Sequence, residues 1–203
     1  MLKAYEKFGL TINRCRKLIS LYSDIKGRDA TTADDILRSA VMLATAAFDT
    51  YVTDSFEERF KTYVSGGHAD KKIFDLLDEA GLDSKEAIGL LNMRRPYRRL
   101  STIIKRYYSK FTTQKMEVVD NVFSQYGIKS ITLSAAKKSG KQSIKDSTTK
   151  LVRRRHDIVH GGDYNDQGKL QQIDEAKVSK RIDNLQLLVK NMEQIINSRF
   201  SKL

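Results

Sequence analysis

Residues 33–64, ADDILRSAVMLATAAFDTYVTDSFEERFKTYV, decide the fold class. Leu37, Ala40, Val41, Ala44, Phe48, Tyr51, Val52 and Phe56 recur at three- and four-residue steps, the period of one helix face rather than the alternation of a strand. Thr31 and Thr32 with Asp34 and Asp35 read as a cap and an acidic first turn, and Gly66-Gly67 closes the element. Outward from this helix the pattern repeats. A helix over about 3–25 precedes it. Shorter helices follow over about 70–80 and 84–92, separated by Gly81-Leu82-Asp83 with Ser84 as a cap. Pro96 suits the first turn of a helix over about 96–111, where its missing N–H is not needed. Another helix runs over about 113–126 and stops at Gly127. The stretch from Ile128 to Gly140 is open between a short helix and an irregular loop. A helix over about 141–160 ends at Gly161-Gly162, and a polar loop from Asp163 to Lys169 leads to a final helix over about 173–200. Its stripe of Val178, Ile182, Leu185, Leu188, Met192, Ile195 and Ile196 calls for packing against the 33–64 helix or the 141–160 helix. With one proline in 203 residues and few runs of alternating β-branched residues, the reading is all-α.

At this length, with 40% hydrophobic residues, residues 1–203 suit a single domain or one domain with an insertion. Cys15 is the one cysteine and there are three histidines; that excludes an internal disulfide and argues against a zinc site. No metal or other cofactor is expected. The opening MLKAYEKFGLTINRCRKL is charged throughout and lacks a signal-peptide core. No apolar run reaches the roughly 18 residues of a membrane span. These features predict a cytoplasmic protein with no membrane partner. The net charge of +12 favours a polyanionic partner, against the plainer reading of a solvated lysine face.

The most informative short stretch is RRRHDIVHGG, residues 153–162. On an ideal helix Ile144, Leu151, Val152, Ile158 and Val159 share a stripe, Arg155 falls near its centre, and Arg153 and Arg154 point to solvent. A guanidinium in an apolar stripe calls for an anion or a polar interface. His160 follows five residues later, about 140° around the helix. Arginine's reach, fraying at the glycines or pairing across a dimer has to close that gap. His156 and His160 are four apart and share a face. Asp157 either orients His160 or raises its pKa, or is a solvated helix-end aspartate. Asp49 lies at the edge of the 33–64 apolar face as a candidate polar contact, and His68 sits in a glycine-rich loop as a surface residue.

Two basic tracts are candidates for holding nucleic acid. Arg94, Arg95, Arg98, Arg99, Lys105, Arg106 and Lys110 are interleaved with Tyr97, Tyr107 and Tyr108. Lys137, Lys138, Lys141, Lys145, Lys150, Arg153 and Arg154 form the second tract and lead into the motif. Cations follow phosphates and tyrosines offer stacking faces for unpaired bases; the alternative is a solvated helix face with tyrosines turned inward. Ser139-Gly140-Lys141 is no phosphate loop, because Ala135 stands at the first glycine position and Gln142 replaces the required Ser or Thr. No Gly-x-Ser-x-Gly element is present.

A long apolar helix, an Arg-x4-His element ending in glycine and a closing amphipathic helix together resemble the HEPN superfamily, whose name refers to higher eukaryote and prokaryote nucleotide-binding domains. The matching residues are Arg155 and His160 with Ile158-Val159 between them, and Leu37 to Val52 as the earlier core helix. Among the branches the chain is most similar to the RiboL-PSP-HEPN type. The resemblance covers about 33–64 and 141–200 as the core of a HEPN-like bundle and leaves about 68–128 as a helical elaboration. His156 stands where many relatives have asparagine. The resemblance implies a cofactor-free, metal-independent RNA endonuclease with catalytic Arg155 and His160; His156, Asp157 and Asp49 are, from their positions, candidate supporting residues. It implies a homodimer with a composite site, and a toxin or phage-defence role under an antitoxin or defence partner. The competing readings are a non-catalytic RNA- or nucleotide-binding module and a pure protein-interaction domain.

Overall fold

The structure is a computed structural model that describes residues 3–111, 115–141 and 143–203. The expected helix start at 113 and Gln142 lie outside the described residues. Among those residues there are nine helices and no strand: α1 (Ala4–Ile25), α2 (Ala30–Ser65), α3 (Lys71–Glu79), α4 (Ser84–Leu91), α5 (Pro96–Tyr108), α6 (Met116–Ser124), α7 (Ile131–Lys138), α8 (Ser143–Gly161) and α9 (Glu175–Phe200). The all-α reading holds. The stretch left open after Ile128 contains a short helix, α7.

α2 is the axis of the molecule, 36 residues long and hence about 54 Å from end to end. Its buried apolar side chains include Leu37, Ala40, Val41, Ala44, Phe48, Tyr51, Val52 and Phe56, together with Phe60 and Tyr63. Its start differs from the sequence expectation. Asp29, not a threonine, is the cap, accepting from the Thr32 N–H at 3.0 Å and the Thr32 hydroxyl at 2.6 Å. Thr31 and Thr32 lie inside the first turn. Aspartate accepts both donors at once, so the helix begins one turn earlier.

α1 runs antiparallel along α2. Phe8 meets Tyr51 with ring centroids 5.7 Å apart, and Lys7 pairs with Asp54 at 2.7 Å. α9 returns against both: Arg16 reaches Asp183 at 3.0 Å, and Tyr51 donates to Glu193 at 2.9 Å. α8 is antiparallel to α9, joined by the Asn184 amide donating to the Ser147 hydroxyl at 2.8 Å. The final helix therefore packs against both helices that its stripe pointed to, and against α1. The middle helices cover the far half of α2 through an aromatic cluster, with Phe56 stacked on Tyr126 at 4.5 Å and edge-on to Tyr108 at 5.2 Å.

Cys15 is sealed in the α1–α2 core, and burial pushes its thiol up to about 11. At pH 8 the native thiol, protonated and out of reach, is therefore expected to react with a disulfide reagent far more slowly than in the unfolded chain. Stopped-flow thiol titration with and without denaturant checks this; equal rates would mean that the α1–α2 seam opens freely.

Candidate functional site

α8 leaves the core at its C-terminal end. Ile144, Thr148 and Leu151 are buried, Val152 and Ile158 are half-buried, and Val159 is 46% exposed. The expected apolar stripe thus holds for its first two turns and fails at the last. The reason is a change of neighbour. Beyond Leu151 the covering surface is the chain that turns back after Gly162, together with the start of α2. Gly162 (φ 60°) and Asp163 (φ 67°) both take the left-handed conformation, which glycine adopts freely and aspartate tolerates. A Cβ on Gly162 would approach Tyr164 Cδ2 to 3.3 Å. The chain then forms a short hairpin with a bridge between Tyr164 and Leu170.

This turn buries Asp163 completely. Its Oδ2 accepts from Arg38 Nε and from Arg154 Nη2, each at 2.7 Å. Arg154 also donates to Gln171 Oε1 at 2.8 Å and to the Gln172 carbonyl at 3.2 Å, and Arg38 Nη2 donates to the Gln171 carbonyl at 2.9 Å. The backbone of Asp163 is engaged as well: its N–H reaches the Asp157 carbonyl at 3.1 Å and its carbonyl accepts from Gln171 at 2.8 Å. The start of α2, the end of α8 and the lead-in to α9 therefore meet at one carboxylate. This corrects the helical-wheel expectation. Arg154, placed toward solvent by the wheel, has a side chain only 12% exposed and is committed to Asp163. Arg155 is half-buried, as its stripe neighbours Val152 and Ile158 are. Sequence reasoning missed Asp163 and Arg38; the one signal was an aspartate directly after two glycines at a helix end.

On the opposite side α8 presents its open face. Arg155, His156 and Asp157 line a hollow of about 470 Å³ with Thr149, Val152 and Arg153, closed on one side by Lys115, Met116 and Glu117. His156 and His160 are exposed, and their rings pack with centroids 4.5 Å apart and planes at 46°. The structure therefore joins the two imidazoles to each other and places Arg155 in the hollow beside His156. Among the described residues no hydrogen bond links the Asp157 carboxylate to His160. Asp157 contributes its carbonyl to the Asp163 turn instead. Asp49 is half-buried on α2, eleven residues and about 16 Å along the helix from Arg38, and takes no part in the hollow's lining.

The two basic tracts separate. In the first, Lys105 pairs with Glu57 at 3.0 Å and Arg99 with Glu86 at 2.5 Å. Tyr108 is buried and Tyr107 donates to Glu79 at 2.8 Å, so these rings face protein rather than solvent. Arg94, Arg95 and Arg98 line a groove that also carries Asp54, Glu57 and Glu58. Glu57 lies about 28 Å along α2 from Arg38. Arg106 is exposed. In the second tract Lys150 and Arg153 are exposed beside the motif.

Chemically, the open face offers two imidazoles next to a guanidinium whose fork matches phosphate oxygens. A family model described as RiboL-PSP-HEPN matches residues 10–198, running through the middle helices as well as through α2, α8 and α9. No curated protein and no solved structure matches the chain.

Proposed function

The chain belongs to the RiboL-PSP-HEPN family, and on that premise we propose that it is a metal-independent RNA endonuclease working at a composite Arg155/His160 site between two copies. Family membership alone points to a nuclease or an RNA-binding module. The observation that carries the finer reading is the open face of α8. It presents two imidazoles in contact, His156 and His160; His156 lines the same hollow as the half-buried Arg155 guanidinium, and His160 lies exposed just beyond that lining. A binding module needs the guanidinium but has no use for solvent-facing imidazoles beside it.

RNA supplies its own nucleophile. A neutral imidazole takes the 2′-hydroxyl proton as the oxygen attacks phosphorus. The 5′-oxygen leaves on the opposite side and takes a proton from an imidazolium. Arg155 stabilises the charge that grows on the non-bridging oxygens. The products are a 2′,3′-cyclic phosphate and a 5′-hydroxyl. His156 and His160 of one chain cannot divide the work of base and acid, because rings 4.5 Å apart stand on the same side of any phosphate they approach. A second copy related by a two-fold axis brings a histidine to the other side. Val159, exposed next to His160, supplies apolar contact for such a pairing. A ribonuclease of this kind acts as a toxin or phage-defence effector and needs a partner protein to restrain it.

The direct test is cleavage of an end-labelled single-stranded RNA in EDTA. The expected result is cyclic-phosphate ends, and resistance of the same strand carrying a single 2′-deoxyribose at the cut position. Cleavage of the deoxy-substituted strand at that bond, or binding of RNA by wild type without any cleavage, would overturn the reading in favour of another nuclease chemistry or the binding module.

A further inference from the structure

The hollow holding Arg155 shares Arg153 and Asp157 with a second one, of about 450 Å³, between α8, α9 and the chain joining them. One wall carries Lys150 and Arg153 from α8, and the other carries Lys177 and Arg181 from α9. Arg154 also reaches this cleft, with its charge held by Asp163. Lys150, Arg153, Lys177 and Arg181 form no ion pair among the described residues. Of the two carboxylates present, Asp174 is occupied in capping α9 through the Lys177 N–H at 2.7 Å. The cleft thus has a surplus of uncommitted cations on facing helices. Lys177 and Arg181 are one turn apart, about 5–6 Å between Cβ atoms, similar to the step between successive phosphates of an extended strand.

We propose that this cleft is a phosphate track for single-stranded RNA. It receives the phosphates flanking the scissile one, which the strand reaches by passing over Arg153. The proposal rests on the RNA reading above but not on cleavage. It adds α9, whose cations lie outside both basic tracts of the sequence, to the nucleic-acid surface. It also makes the substrate a strand extending several nucleotides to one side of the cut rather than a dinucleotide.

The experiment measures binding of a fluorescein-labelled oligouridine of about 12 nucleotides, within the usual span of single-strand sites, to the His160→Ala protein by anisotropy across a salt series. Adding Lys177→Ala/Arg181→Ala is expected to flatten the slope of log K against log salt by about 1.4, two contacts at about 0.7 each. Between about 50 and 200 mM salt the doubly substituted protein then loses about sevenfold less affinity than its parent. Lys150→Ala/Arg153→Ala, from the facing wall, is expected to flatten it similarly. Lys71→Ala/Lys72→Ala removes the same charge from α3 and is expected to leave the slope in place. An equal fall in this α3 control, no fall in either cleft pair, or displacement of the oligonucleotide by micromolar AMP would overturn the track. Should wild type fail to cleave RNA while the cleft pairs still flatten the slope, the ribonuclease reading falls and the track stands. Cleavage with unchanged slopes gives the reverse.

Discussion

His160→Ala is expected to lower the rate of RNA cleavage by about 10²–10⁴-fold, the usual contribution of a positioned acid or base, while leaving the fold untouched. Arg155→Ala is expected to lose about 10²–10³-fold, in line with removal of one group that stabilises charge in the transition state. Both residues lie on the open face of α8. His160 is exposed and Arg155 half-buried, and neither takes part in the ion pairs that close the turn. Circular dichroism and melting temperature should therefore match wild type within a few degrees. Arg154→Ala is the informative neighbour. Its guanidinium holds Asp163 and Gln171, so any loss of activity should follow a loss of stability. If the protein is a toxin, its expression should arrest growth and His160→Ala should relieve the arrest. Wild-type cleavage by His160→Ala, with Arg155→Ala equally active, would remove the chemistry from this face altogether. Mixing wild type with an excess of His160→Ala subunits tests the shared site. Because each site draws an imidazole from both chains, heterodimers should be inactive and activity should fall faster than in proportion to the wild-type fraction; activity proportional to that fraction would place base and acid in one chain.

How much of this was legible in the sequence depended on the range of the forces involved. α2 and α9 were readable because their apolar stripes run for many turns against other helices, so one period serves throughout. The start of α2 was misplaced because Asp29, Thr31 and Thr32 are all good capping residues, and only the folded backbone decides which side chain meets the orphan N–H groups. The wheel went wrong at Arg154 because it extends the stripe set by Ile144 and Leu151 into a turn with different neighbours. Nothing local in Arg154-Arg155 says that a carboxylate nine residues ahead will fold back on one side only. Arg38 was harder still. Its partner Asp163 is 125 residues away, and inside an apolar run the arginine carried no separate signal. The tyrosines of the first basic tract looked available for stacking because sequence alone cannot say that Glu79 takes the Tyr107 hydroxyl. The imidazole pair was legible, since a four-residue spacing puts both rings on one face.

Asp163→Ala should be the most destabilising single change near the site. Removing one partner of a buried ion pair costs about 3–5 kcal/mol, because the remaining charge is left without compensation. Here two guanidiniums lose their shared carboxylate, with side chains 6% and 12% exposed for Arg38 and Arg154. Asp35 remains on Arg38 at 3.0 Å but is itself largely in water. For a domain of this size the loss corresponds to a fall in melting temperature of about 6–20 °C. Two further substitutions separate charge from backbone strain. Asp163→Gly removes the carboxylate but relieves the left-handed φ of 67°, which costs an alanine about 1–2 kcal/mol; it should therefore be destabilising but milder than alanine. Asp163→Asn keeps the shape and one acceptor for the arginines. Its amide nitrogen falls where Oδ1 lies buried without a hydrogen-bond partner among the described residues, so it should be the mildest of the three. Urea denaturation gives the order, wild type above Asn, Asn above Gly, Gly above Ala. A glycine variant as stable as wild type would show that Asp163 is kept for its backbone conformation rather than its charge. In that case Arg38 and Arg154 would not be what fixes the turn after α8, and the placement of His160 would need another support.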